Sequence, residues 1–273
     1  DLKTARRLYG KADNIISDFH GSDSHLRFPY RFAFARTLRR MGELEQAESH
    51  IQVMLDRLTG DSEETLLKIS DLKEEMALLL LARNKIEDAE KTLKECLDTR
   101  SKFLSPNSEG VSSAFETLAR IHQADGREVT ASALAERALD ALEDDEEQVE
   151  GRATAVVSRA RIQILLSRIE LEQGSPSTAI THANMALNLL RDLLGESHPD
   201  VAECLHLLGE IAQAERKLEK AESFYEEALG KWEAFFGSSH QSVCRAVSSL
   251  AQLYQQQGRL TLAEQYHQRN LNS

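Results

Sequence analysis

Small and apolar residues return along the chain at a fixed interval. Ala47, Ala89, Ala131, Ala179, Ala221 and Ala263 are spaced 42, 42, 48, 42 and 42 residues apart. Five residues before four of them stands Gly42, Gly126, Gly174 or Gly258, and the other two carry Asn84 and Arg216 there. Leu44, Ile86, Leu218 and Leu260 precede their alanines by three residues. Eight residues after each alanine comes Leu55, Leu97, Leu139, Leu187, Leu229 or Leu271. Seven after it stands Met54, Cys96, Ala138, Ala186, Ala228 or Asn270. Glycine and asparagine tolerate the left-handed backbone that ends a helix.

The pattern predicts a helical hairpin repeated along the chain. Helix A runs up to the glycine and helix B follows it. The alanine marks a close approach of two backbones, and leucines one and two turns on cover the faces toward neighbours. One hairpin cannot bury its apolar face alone, whereas stacked hairpins share a core. Ala5 lies 42 residues before Ala47, so residues 1–20 read as an orphan helix B. The repeats are then 22–60, 61–105, 106–142, 151–194, 195–236 and 237–273, a single array over 1–273. The acidic run 143–150 accounts for the one longer interval and reads as a solvated loop insertion. Glu128 and Pro176 replace the leucine or isoleucine of the other turns, so those two turns are expected to pack less tightly.

The corner Gly195-Glu196-Ser197-His198-Pro199-Asp200-Val201 returns 42 residues later, with Gly237, His240 and Val243 over Gly195, His198 and Val201. Recurrence makes it a corner between helices rather than a single active site. Pro199 suits a first helical turn, Ser197 or His198 can cap it, and Asp200 puts negative charge at the helix start.

Composition narrows the function. The net charge of −12 over 273 residues argues against a general affinity for nucleic acid or an anionic membrane. Cys96, Cys204 and Cys244 are isolated and odd in number, which points to a cytoplasmic or other reducing compartment. Cys96 falls in a packing register and reads as a buried inert thiol, while Cys204 and Cys244 lie near helix starts. The longest apolar run, Met76 to Ala82, is too short to span a bilayer. The first residue is not Met, so the chain reads as part of a longer one. There is no HExxH, Gly-rich phosphate loop or GxSxG, so neither an enzyme nor a cofactor or metal site is expected.

The spacing Leu205-x-x-Leu208-Gly209-x-x-Ala212 followed by Ala221-x-x-x-Tyr225-x-x-Ala228 resembles the tetratricopeptide repeat family. The unit here exceeds the usual length of about 34 residues by roughly a turn per helix. The LG-x-x-HP-x-VA corner is similar to the elongated repeats of kinesin light chains. The resemblance implies an all-α, right-handed superhelical solenoid of antiparallel helix pairs whose A helices line a concave groove. It implies a non-enzymatic adaptor or scaffold that binds a peptide or helix of a partner. A regulatory domain that controls a linked enzyme or NTPase domain by intramolecular docking is the alternative. The asparagine pairs of the kinesin light chain L-N-N-L-A are missing from Val247-Ser248-Ser249-Leu250-Ala251.

Residues 18, 15, 11 and 8 positions before each alanine share one face of helix A. From this face the candidate peptide-binding residues are Phe32, Arg36, Arg39, Arg120, Arg161, Arg168, His206 and Gln252. Arg36, Arg120 and Arg168 occupy one register, which suits an acidic or phosphorylated partner segment. Pairing of these arginines with Glu74, Glu116 or Glu210 is the competing expectation.

Overall fold

The computed structural model describes residues 2–20, 27–142, 152–238 and 240–271. All regular structure among them is helical. The chain divides into two compact units, residues 1–127 and 128–273. The first contains α1 (Leu2–His20), α2 (Phe28–Arg40), α3 (Leu44–Arg57), α4 (Glu63–Ala82), α5 (Ile86–Phe103) and α6 (Glu109–Ala124). The second contains α7 (Glu128–Asp140), α8 (Arg152–Glu172), α9 (Pro176–Leu194), α10 (Pro199–Ala214), α11 (Leu218–Phe236), α12 (Gln241–Gln256) and α13 (Leu260–Leu271). The acidic run 143–150 lies outside the described residues, and the division between units falls inside the stretch 106–142.

Six turns of one geometry link each helix A to its helix B. Gly42, Asn84, Gly126, Gly174, Arg216 and Gly258 all have positive φ. The next residue's amide reaches back to a carbonyl five residues earlier in every case, as in Glu43 to Leu38 (3.0 Å) and Lys217 to Ala212 (2.9 Å). This is the Schellman closure, which satisfies carbonyls orphaned at a helix end. Helix B then starts two residues after the left-handed position. Pro176 occupies this first position in α9, where the missing amide has no partner to lose. Arg216 holds the left-handed conformation (φ 62°) without glycine's freedom.

All six anchoring alanines are buried. Helix A supplies a matching register of small residues twelve positions earlier: Ala35, Ala77, Ala119, Ser167, Gly209 and Ala251, every one buried. The Ser167 hydroxyl donates to the Ala179 carbonyl at 2.8 Å, so the two registers meet across the hairpin. At Gly209 the approach is closest, and a Cβ there would lie 2.5 Å from the Tyr225 ring. Residues at the register seven after the alanine, Met54, Cys96, Ala138, Ala186 and Ala228, are also buried. Successive hairpins pack B against the next A: α3 on α4 and α5 on α6 in the first unit, α9 on α10 and α11 on α12 in the second.

An ion pair joins several successive hairpins. The residue after an anchoring alanine meets a charged residue at the following turn: Arg6 with Glu43 (2.5 Å), Glu48 with Arg83, Glu90 with Arg127 (2.6 Å) and Glu222 with Arg259 (2.7 Å). The first pair has its charges exchanged relative to the others, which leaves the attraction unchanged. The Arg127 hydrogen bond, helped by Lys94, holds the Glu90 carboxyl down at about 2.

Two substitutions test this geometry. Arg216→Gly relieves a left-handed residue and should raise stability by about 1 kcal/mol in denaturant unfolding. Gly209→Ala forces the Tyr225 ring out of place and should lower stability by roughly 1–3 kcal/mol. An unchanged midpoint for Gly209→Ala would show that the hairpin relaxes around the added methyl.

Candidate functional site

In the first unit the A helices are α2, α4 and α6. Phe32 stacks on Phe28 with ring centroids 5.9 Å apart, and the Arg36 guanidinium lies 5.7 Å over the Phe32 ring. Arg36 remains 53% exposed and approaches Glu75 at 3.8 Å. Arg39 is more covered and bonds the same buried carboxylate. Arg120 pairs with Glu116 of its own helix at 2.8 Å and keeps 43% of its side chain in solvent.

The carboxylates of α4 are held from behind. Arg100 of α5 is buried and pairs with Asp71 (2.7 Å) and Glu74 (2.8 Å), while donating to the Gly110 carbonyl at 2.7 Å. Glu74 also accepts from the Ser113 (2.5 Å) and Thr117 (2.9 Å) hydroxyls of α6. Burial raises the Asp71 carboxyl in spite of the facing Arg100. The sequence does carry a signal for Arg100. It stands eleven residues after Ala89, where the other repeats have Leu58, Leu142, Leu190 and Trp232, so it is a charge in an apolar register.

In the second unit the A helices are α8, α10 and α12. Arg161 is exposed and donates to the Ser158 hydroxyl at 3.3 Å. Glu203 of α10 is shared by Arg168 of α8 (2.5 Å) and Arg245 of α12. Arg168 also approaches Glu210 at 3.7 Å. Burial acts to raise the Glu203 carboxyl, but Arg245 and Arg168 outweigh it and leave it lowered. The Arg245 guanidinium sits 4.9 Å over the Trp232 ring, which fixes it further. Gln252 and Gln255 are exposed.

His206 does not present a binding surface. Its side chain is 1% exposed, with ring centroids 5.0 Å from Tyr225 and 5.5 Å from Trp232. Its Nε2 is 3.0 Å from the Ser249 hydroxyl, and Nδ1 is 3.4 Å from Glu210. Helical spacing puts it on the groove register, but the bulk of Tyr225 and Trp232 behind it closes over the ring. Burial, with the Arg245 charge, pushes its pKa down to about 3. Cys204 is likewise buried, and burial raises its thiol to about 12, as it does for Cys96. That removes thiolate reactivity at the helix start. His198, rather than Ser197, caps α10, its Nδ1 accepting from the Asp200 amide at 3.2 Å, and His240 repeats this on Ser242 at 3.2 Å.

Arg36, Arg39, Arg120 and Arg168, expected to face a ligand, therefore meet carboxylates as well. Their partners are Glu75, Glu116, Glu203 and Glu210, and Glu74 is taken by Arg100. Glu203 and Arg245 lie on the same register as Arg161, so their pairing follows from the repeat once the helices are stacked.

The antiparallel hairpins with small-residue crossings and a common helix A face define a helical-repeat protein. The tetratricopeptide repeat family matches residues 69–144, 158–234 and 208–272, and the chain belongs to that family. No curated protein matches the sequence. Among solved structures the chain is similar to BtubC (BKLC) from P. vanneervenii, with 18% identity, 90% of each chain covered and a TM-score of 0.64. A kinesin light chain-like protein of Podosopora anserina with nearly identical TPR-like repeats has 20% identity, covers 73% of this chain and 92% of its own, and gives a TM-score of 0.57. NprR in complex with its cognate peptide NprX has 14% identity, covers 99% of this chain and 76% of its own, and gives a TM-score of 0.65. At these identities the likeness concerns the fold. Among the described residues no helix is long and apolar enough to cross a membrane.

The buried histidine makes stability depend on pH. Its folded pKa of about 3 lies below the unfolded value of about 6.5, so the unfolded chain binds more protons between them. Stability should be fully present above pH about 6.5 and fall as pH drops toward 3. Thermal unfolding across this range should show a smaller loss in His206→Gln than in the parent protein.

Proposed function

We propose that this protein is a non-enzymatic interaction module that binds a peptide or helix of a partner over its helix A faces, as an adaptor or scaffold. The observation that carries the reading is the charge on the second unit. Arg168 and Arg245 meet on Glu203, with Glu210 also 3.7 Å from Arg168, and Arg161 shares the helix A register of Glu203 and Arg245. Three guanidinium groups stand on these helix A registers in a chain of net charge −12. Arginines gathered this way on an acidic protein suit an acidic or phosphorylated segment.

The shared Glu203 and the Trp232 ring hold Arg168 and Arg245 in place before a ligand arrives, which reduces the ordering cost of binding. Arg161 supplies the exposed guanidinium, and Gln252 supplies amide donors and acceptors for a main chain. In the first unit Phe32, Arg36 and Arg120 offer an apolar surface and two exposed guanidinium groups, with Arg39 committed to Glu75. NprR, of the same fold, is known with its cognate peptide. His206 acts from beneath, as packing for Arg245's platform.

The test is calorimetric titration with peptides carrying aspartate, glutamate or phosphoserine, beside neutral versions of the same length. Each charge-assisted bond contributes about 1.5–3 kcal/mol, so Arg161→Glu should weaken the acidic peptide about tenfold or more. Arg161 has an exposed side chain, so circular dichroism melts should stay unchanged. Equal affinity for acidic and neutral peptides, or full affinity in Arg161→Glu, would overturn the charge-based reading.

A further inference from the structure

The corner between α5 and α6 is built differently from the two that carry histidine. It runs Leu104-Ser105-Pro106-Asn107-Ser108, and Ser105 stands in the register of Gly195 and Gly237. Those glycines turn the chain at φ 81°. Ser105 is instead followed by proline, whose ring bars the preceding residue from helical geometry and favours an extended one. Helix α5 stops at Phe103, and α6 begins at Glu109.

Ser105, Pro106 and Asn107 are all exposed. Backbone bonds close the chain on either side of them, from the Leu104 amide to Arg100 (2.8 Å) and from the Ser112 amide to Ser108 (2.9 Å). The Ser105 Oγ accepts from the Asn107 amide at 3.3 Å, beyond the usual length of such a bond. The start of α6 is held independently of this segment. Ser108 caps it by accepting from the Val111 amide at 3.4 Å, and the buried Arg100 donates to the Gly110 carbonyl at 2.7 Å. An enzyme cleft can therefore take up Ser105 and Pro106 without opening either helix.

The chain contains one other serine before proline, Ser175 before Pro176, and it is placed in the opposite way. The Ser175 amide donates to the Glu170 carbonyl at 2.8 Å, as part of the turn between α8 and α9. Its carbonyl accepts from the Ala179 amide (3.1 Å) and the Thr178 hydroxyl (2.9 Å). Its residue is only half-exposed. Laying Ser175 out in a cleft means breaking the hairpin turn.

We propose that Ser105 is a phosphorylation site for a proline-directed serine kinase. Proline offers no amide N–H, so a kinase that leaves the amide after its target serine without a partner selects proline there. The Ser105 Oγ attacks the γ-phosphorus of ATP, and the new O–P bond forms as the bond to the bridging oxygen breaks. ADP leaves, and the hydroxyl proton passes to a carboxylate of the kinase. The product carries about −1.5 to −2 charge at neutral pH. It stands ahead of the α6 N-terminus, where the helix dipole accommodates negative charge. The proposal is independent of the peptide-binding reading.

The test is incubation of the whole chain with ATP and a mitogen-activated class kinase, followed by mass mapping of the phosphate. Free peptides of residues 101–110 and 171–180 run beside it. Both peptides should be phosphorylated, since neither is held in a fold, whereas the whole chain should take phosphate at Ser105 and not at Ser175. Ser105→Ala should abolish incorporation. Pro106→Ala should slow it tenfold or more, and Ser175→Ala should leave it unchanged. Circular dichroism confirms that each variant is folded. A whole chain that stays unmodified while the 101–110 peptide is phosphorylated, or one that is modified at Ser175 as fast as at Ser105, would overturn the proposal.

Discussion

Each hairpin depends on two backbones coming close enough that only small side chains fit between them. Ala47, Ala89, Ala179, Ala221 and Ala263 supply one side of that contact, and Ala35, Ala77, Ser167, Gly209 and Ala251 supply the other. In the α10–α11 hairpin the larger Tyr225 and Trp232 side chains then pack against His206 of the facing helix. The left-handed turn is the second half of the same constraint. It reverses the chain within a few residues, and its backbone bonds close the helix end at no side chain's expense. Arg216 shows that the turn geometry prevails over residue preference, since it adopts the conformation glycine takes elsewhere.

Once the hairpins are stacked, charge is distributed by reach rather than by register alone. Long arginine side chains reach from one A helix to another and find carboxylates that register alone does not name. Glu75 therefore draws Arg36 and Arg39. Arg100 gathers Asp71 and Glu74 from behind, so that face of the first unit is close to neutral. The second unit differs because Glu203 serves two arginines at once. The Trp232 ring keeps one of them, Arg245, oriented.

The corners have two jobs. His198 and His240 cap the following helices through their ring nitrogens, so the imidazoles substitute for the serine or aspartate usual at that position. The same rings lie against Phe235 and Phe236 and build an aromatic edge. A residue chosen for a local capping role thereby shapes a surface feature of the repeat.

The sequence by itself determined the hairpin, its length and its turns. Those features are local and periodic: a small residue at a fixed interval, a left-handed position five residues before it, and a proline at a first helical turn. It also held signals less easily read, including the second small-residue register and the charge of Arg100 in an apolar slot. Only the tertiary structure decided which carboxylate each arginine meets, why His206 is enclosed although its register points to the groove, and that Cys204 is buried. Helical spacing fixes the direction in which a side chain leaves its helix. It does not fix the bulk of the neighbours it enters or the distance a flexible guanidinium can travel, and those two quantities separate a binding surface from a packed interior.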